Sequence, residues 1–101
     1  MDKKELDYIR YCMEGNSTFH TWVPVKSSNI QSVMWISKEQ RSKWGTLCIK
    51  FKTKEDKPPI YYAYTRIEEE LYHKLLSAES IGKFFNEHIK DNPKYPGYKF
   101  S

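Results

Sequence analysis

Tyr61-Tyr62-Ala63-Tyr64-Thr65-Arg66 is the stretch on which the fold turns, together with its two neighbours in sequence. Before it lies Leu47-Cys48-Ile49-Lys50-Phe51-Lys52; after it comes Ser80-Ile81-Gly82-Lys83-Phe84-Phe85-Asn86. From Thr46 to Thr53 the chain alternates cleanly. Leu47, Ile49 and Phe51 point one way and Cys48, Lys50 and Lys52 the other, which predicts a strand with one buried and one basic face. Lys54 to Pro59 reads as a charged turn closed by Pro58-Pro59, and Ile60 to Arg66 as the next strand.

Working outward, Ile30 to Ile36 reads as a central strand apolar on both faces. Val33 and Trp35 are expected on one side, and Ile30, Met34 and Ile36 on the other. A polar hairpin loop, residues 37–44, carries Lys38, Arg41 and Lys43. Phe19 to Val23 reads as a short first strand stopped by Pro24, and Ser27-Ser28-Asn29 is turn chemistry.

Residues 3–14 form a helix pattern capped by Asp2, with Leu6, Ile9, Cys12 and Met13 as its stripe and Gly15-Asn16 as its stop. It is expected to cover one edge or face of the domain. Thr65-Arg66-Ile67-Glu68 fits a capping box, with Glu68-Glu69-Glu70 in a first helical turn. Leu71, Tyr72, Leu75 and Leu76 give that helix its apolar face.

A second C-terminal helix opens at Ser80. Its stripe, Ile81, Phe84, Phe85, His88 and Ile89, is the strongest in the chain, and Asn92-Pro93 ends it. The segment 94–101 reads as a turn that tucks its aromatics onto the core. The fold class is therefore α+β: an N-terminal helix, an antiparallel meander of three to four strands, and two helices on one sheet face. Residues 1–18 read as a helical extension and 19–101 as the α+β domain.

The 101 residues carry a net charge of +4, and its distribution is uneven. Residues 1–18 hold three basic and four acidic side chains, and residues 67–101 five and six, giving −1 each. Residues 19–66 hold nine and three, giving +6. A basic sheet on a near-neutral scaffold points to an anionic partner, or to lysines that solvate an exposed face. Two cysteines without CxxC spacing are expected as reduced thiols in a cytoplasmic protein. Met1-Asp2-Lys3-Lys4-Glu5 does not read as a secretory leader, and no apolar run is long enough for a membrane span.

From Val25 onward the chain resembles the KTSC domain family. The resembling residues are Val25-Lys26-Ser27-Ser28-Asn29-Ile30-Gln31-Ser32-Val33, Leu47-Cys48-Ile49-Lys50-Phe51, and the Tyr62-Ala63-Tyr64 pair. They continue through Tyr72, Leu75, Ala78, Ser80, Gly82-Lys83-Phe84-Phe85-Asn86, Ile89 and Tyr95. The family includes the C-terminal extension of some lysyl-tRNA synthetases and small stand-alone proteins, a context that implies RNA binding. Met34-Trp35 departs from the family's usual residues, and residues 37–45 look longer than a tight hairpin. The N-terminal helix lies outside the resemblance, which fits a stand-alone copy carried by a phage or mobile element.

The candidate site residues fall into three groups. Tyr62 and Tyr64 share a strand face with Ile60 and Arg66. Either bases stack on the rings while Lys50 and Lys52 meet phosphates, or Ile60 marks the face as buried and the hydroxyls sit at its rim. Ser80, Gly82 and Lys83 open a helix whose free N–H groups can hold a phosphate, and Asn86 joins that site or braces the turn before it. Lys26, Ser27, Ser28 and Asn29 present cationic, hydroxyl and amide groups.

His20, His73 and His88 lack metal-ligand spacing, and His88 reads as a hydrogen-bonded residue at the core edge. No nucleophile elbow is present, and the glycine loop is too short for a Walker motif. Cys48 is expected on the basic face with a lowered thiol pKa. The reading is a non-enzymatic binding module for RNA, without cofactor. The alternatives are a nucleotide-like small molecule held between the Ser27–Asn29 turn and the Ser80–Asn86 helix start, or a protein partner or second copy engaged through the N-terminal helix.

Overall fold

Asp2 starts the first helix as its sequence implies: its carboxylate accepts the Glu5 backbone N–H at 2.9 Å. A computed structural model describes residues 2–37, 39 and 42–100. The elements are α1 (Lys3–Met13), β1 (Val23–Pro24), β2 (Ile30–Ser37), β3 (Trp44–Phe51), β4 (Ile60–Glu68), α2 (Glu69–Ser77), α3 (Ile81–His88) and β5 (Gly97–Phe100). Among the described residues the strands form one antiparallel meander in the order β1-β2-β3-β4-β5. The class is α+β, as expected.

Strand alternation sorts the core into two layers. On one face Val33, Leu47, Ile49, Tyr64 and Ile67 pack with Tyr72 and Leu75 of α2 and Phe85 of α3. On the other, Met34, Ile36, Cys48 and Ala63 pack with Ile9, Cys12 and Met13 of α1. The sheet is thus filled from both sides, with α1 as one complete outer layer. Each fully buried large apolar side chain contributes roughly 1.5–3 kcal/mol, so the α1 stripe is a substantial part of the core. Gly15, at φ 83, turns the chain away after the helix.

Five expectations are corrected. The first strand is only Val23–Pro24, and Phe19 is 88% exposed. Ile30 packs with Val33, not with Met34, because a register shift between Ile30 and Ser32 flips it to the other face. The capping box does not form: β4 runs on to Glu68, whose side chain makes no cap bond, while Glu69 N–H bonds the Lys43 carbonyl at 2.8 Å. The strand pairing of Trp44 with Glu68 wins over the local capping signal. The tail is a fifth strand, with Phe100 buried opposite Tyr61. The expected loop 37–44 begins later and ends earlier, since Ser37 and Trp44 are strand residues; Lys38 and Arg41 lie outside the described residues.

Trp35 fixes the far end of the sheet. Its indole N–H donates to the Ile67 carbonyl at 3.1 Å, and its ring passes directly over Gly45. Opposite Gly45 a second register shift leaves Arg66 at φ 62. Among the described residues no helix is long and apolar enough to cross a membrane.

Candidate functional site

The turn before β2 and the start of α3 interlock. Ser27 Oγ accepts backbone N–H groups from Asn29 at 3.4 Å and Ile30 at 3.3 Å, which occupies both of its lone pairs. Its hydroxyl proton then has one partner left, Asn29 Oδ1 at 3.0 Å. The Asn29 amide is thereby oriented: Oδ1 faces Ser27, and the Nδ2 donors are free to serve what lies beyond. Gly82 makes this arrangement fit. A Cβ there would stand 3.0 Å from Asn29 Oδ1 and 3.1 Å from Ser27 Oγ. Lys52 ties the turn to β3 through its backbone N–H to the Asn29 carbonyl at 2.9 Å and its ammonium to the Ser27 carbonyl at 2.5 Å.

Asn29 lies at the edge of a cleft of about 450 Å³, whose wall is aromatic. Tyr62 and Tyr64 stack at 6.1 Å with rings inclined 16°, and Tyr64 meets the Phe85 ring edge-on at 5.3 Å. Phe51 closes the stack against Tyr62 at 5.7 Å. The opposite wall is the connection from α3 to β5, which brings Lys90, Asp91 and Tyr95 across the sheet edge. Asn86, one helical turn past Gly82, faces the same space. Gly97 lets β5 approach, since a Cβ there would fall 2.7 Å from the Tyr64 ring. Burial first, then Tyr62 and Asp91, push the Tyr64 hydroxyl up to about 12, so it stays protonated at neutral pH.

The structure therefore brings Asn29, Tyr62, Tyr64 and Asn86 to one cleft, with Ser27, Gly82 and Lys52 behind them as braces. Tyr62 and Tyr64 belong to the face that packs against α2 and α3, and their outer edges form the wall. Ser80 caps α3 through the Lys83 N–H at 3.3 Å, and Lys83 reaches Glu87 at 4.0 Å. Lys26 and Ser28 are exposed beside the turn.

Lys50 is elsewhere. It lies half-buried on the α1 side, its ammonium 5.8 Å from the Tyr61 ring centre. Arg66 is at the opposite end of β4. The expected basic face is thus largely taken up by α1, Trp22 and Tyr61.

Two further expectations are corrected. Cys48 is fully buried under α1 with Cys12, and desolvation raises its thiol pKa rather than lowering it. His88 is exposed; its ring rests 4.5 Å from Phe84 rather than at a buried edge. Among the described residues no His, Cys, Asp and Glu group has the makings of a metal site. Lys90, Asp91, Tyr95 and Gly97 were not named as site residues from sequence, although Tyr95 is among those that carry the family resemblance. The signal for them was the clustered Asn92-Pro93 and Pro96-Gly97, which bend the chain back to the sheet edge.

The family model for the KTSC domain matches residues 26–95. The chain belongs to the KTSC domain family. Its fold is also similar to the crystal structure of a KTSC domain protein from Yersinia pestis, at 27% identity and a TM-score of 0.63, over 81% of this chain and 99% of that one. No curated protein matches. The cleft and its braces all fall within the KTSC match except Pro96 and Gly97, whereas α1 lies wholly outside it.

Proposed function

We propose that this KTSC domain is a non-enzymatic binding module that takes a nucleotide in the cleft, either free or as an unpaired unit of RNA. The observation that carries the reading is the oriented Asn29 amide beside the Tyr62–Tyr64 stack. The ring edges at the cleft wall, with Tyr62 the more exposed of the two, offer edge-on contact to a base, and a fixed amide donor offers a hydrogen bond to a base or phosphate acceptor. Lys90 supplies the cation at the rim. The volume falls within the range of small-ligand sites, about 300–1,000 Å³. Besides Pro93, Pro96 and Gly97, the described lining is of aromatic rings, amides and a Lys–Asp neighbour pair, groups suited to holding a ligand. The buried Tyr64 hydroxyl stays neutral and so acts as a donor rather than as a nucleophile.

Titration of the protein with nucleoside monophosphates and with a labelled short RNA tests this, alongside Asn29→Asp. That substitution keeps an oxygen toward Ser27 and the space left by Gly82, but turns the free donor into a charged acceptor. Binding by the wild type and at least a tenfold loss in the variant, at unchanged thermal stability, is the expected result. Equal binding by both proteins, or none by the wild type, removes the proposal.

A further inference from the structure

A second cavity, about 770 Å³, lies between α1 and the far end of the sheet, and it shares one residue with the cleft: Pro96. Pro96 lies just before β5, where its carbonyl accepts the Thr65 N–H, and lines both the cleft on the α2–α3 face and the groove on the α1 face. Tyr64 is in the cleft and Arg66 in the second groove. They are two positions apart in the chain, with Thr65 between them.

The groove is unlike the core around it. Tyr8, Trp44 and Tyr98 line it at 43%, 41% and 37% exposure. Arg66 stands at its Pro96 end, exposed, at φ 62, and in no ion pair with the described residues. A non-glycine residue held in the left-handed region costs of order 1 kcal/mol and persists where the surroundings enforce it. Here the register shift opposite Gly45 enforces it. Among the described residues the rest of the groove carries Lys4 against Glu5 and Glu39, a net charge of −1 that Arg66 brings to zero. Attraction there rests on the rings, with Arg66 as the cation at the crossing.

We infer that the ligand is a single-stranded oligonucleotide, which places one base in the cleft, passes Pro96 with a phosphate at Arg66, and stacks a following base on Trp44 or Tyr98. This rests on the cleft being a nucleotide site. The crossing itself argues against a peptide. Extended peptides bind sheet edges through main-chain hydrogen bonds. Pro96 has no N–H, and its carbonyl already accepts the Thr65 N–H at 3.1 Å. A nucleotide chain asks only for a ring at either end and a cation between.

The experiment is a length series, mono- to hexaribonucleotide, titrated against the full chain and against Trp44→Thr/Tyr98→Thr, two exchanges that keep strand propensity. Affinity should rise at least tenfold between the mononucleotide and the tetramer. The double variant should return the tetramer to the mononucleotide's affinity and leave the mononucleotide unchanged. Arg66→Asn, which tolerates the left-handed backbone, should lower the salt slope of tetramer binding by about 0.7, one single-strand phosphate contact.

Mononucleotide binding with no gain in length overturns the inference and leaves the cleft reading standing. A length gain unaffected by either variant does the same. No binding by any member of the series overturns both.

Discussion

Asn29 and Gly82 pack against each other: a Cβ at position 82 would stand 3.0 Å from Asn29 Oδ1, tighter than ordinary contact. In an open helix an Ala in place of Gly is worth roughly 0.5–1 kcal/mol in stability. Gly82→Ala offsets that gain, because its methyl crowds Asn29 Oδ1 and Ser27 Oγ, which must give by a few tenths of an ångström. Urea unfolding should show no stabilisation or a loss of about 1 kcal/mol. Ligand affinity should fall about tenfold, or some 1.4 kcal/mol, read by the same titration as for Asn29→Asp.

Gly45 answers to Trp35 at the other end of the sheet. A Cβ there would meet the Ile36 carbonyl and stand 2.6 Å from the Trp35 ring, and both are held, the indole by Ile67. Gly45→Ala should therefore cost about 2–3 kcal/mol, much more than a surface exchange. Trp35 fluorescence will be shifted in whatever fraction remains folded.

The helix α1 is an integral cover of the sheet. Ile9, at 3% exposure, sits in the same cluster as Met34 and Cys48. Ile9→Ala should cost about 2–4 kcal/mol in urea unfolding, whereas the outward Glu14→Ala should stay within about 0.5 kcal/mol. Similar values for the two would mean that α1 does not hold this position in solution.

Stability should be greatest near pH 7–8.5 and fall on both sides. Burial depresses His20 from 6.5, so its contribution is present above that value and is lost as the pH falls through the folded-state pKa. Burial raises the Cys48 thiol from 9.0 and Tyr64 from 10.0 to about 12. For these the neutral form is favoured by folding; stability is present below the unfolded values and drains away as the pH climbs. A thermal melt series should show the decline beginning near pH 9. In Cys48→Ala the decline from pH 9 should be shallower, carried by the Cys12 thiol that burial also raises, with Tyr64 adding to it above pH 10.

Where residues speak through periodicity, the sequence was a good guide. The alternation from Leu47 to Phe51 and the stripe of α1 each place their side chains in the right layer. Reading stopped where two strands had to agree. Ile30 changes face through a bulge that is a property of its pairing with β3. Thr65 and Glu68 carry a helix-start signal that the pairing of β4 with β3 overrides. The tail shows the same limit, since four residues of Gly97–Phe100 become a strand only against Tyr61–Tyr64. For the cleft, Tyr62, Tyr64, Asn29 and Asn86 were visible as chemistry. Their convergence was not, because the α3–β5 connection that closes the space has no period to read.

The cover that α1 provides also sets an order of events. Cys12 and Ile9 are synthesised well before Met34, Cys48 and Ala63, and Phe100 comes last of all. The helix α1 is made before the surface it covers and has nowhere to dock until β2, β3 and β4 have paired. A nascent chain therefore carries an unsatisfied amphipathic helix until those strands are made, and contacts this distant in sequence slow the closing step. The layer that completes the fold is the one whose sequence was finished first.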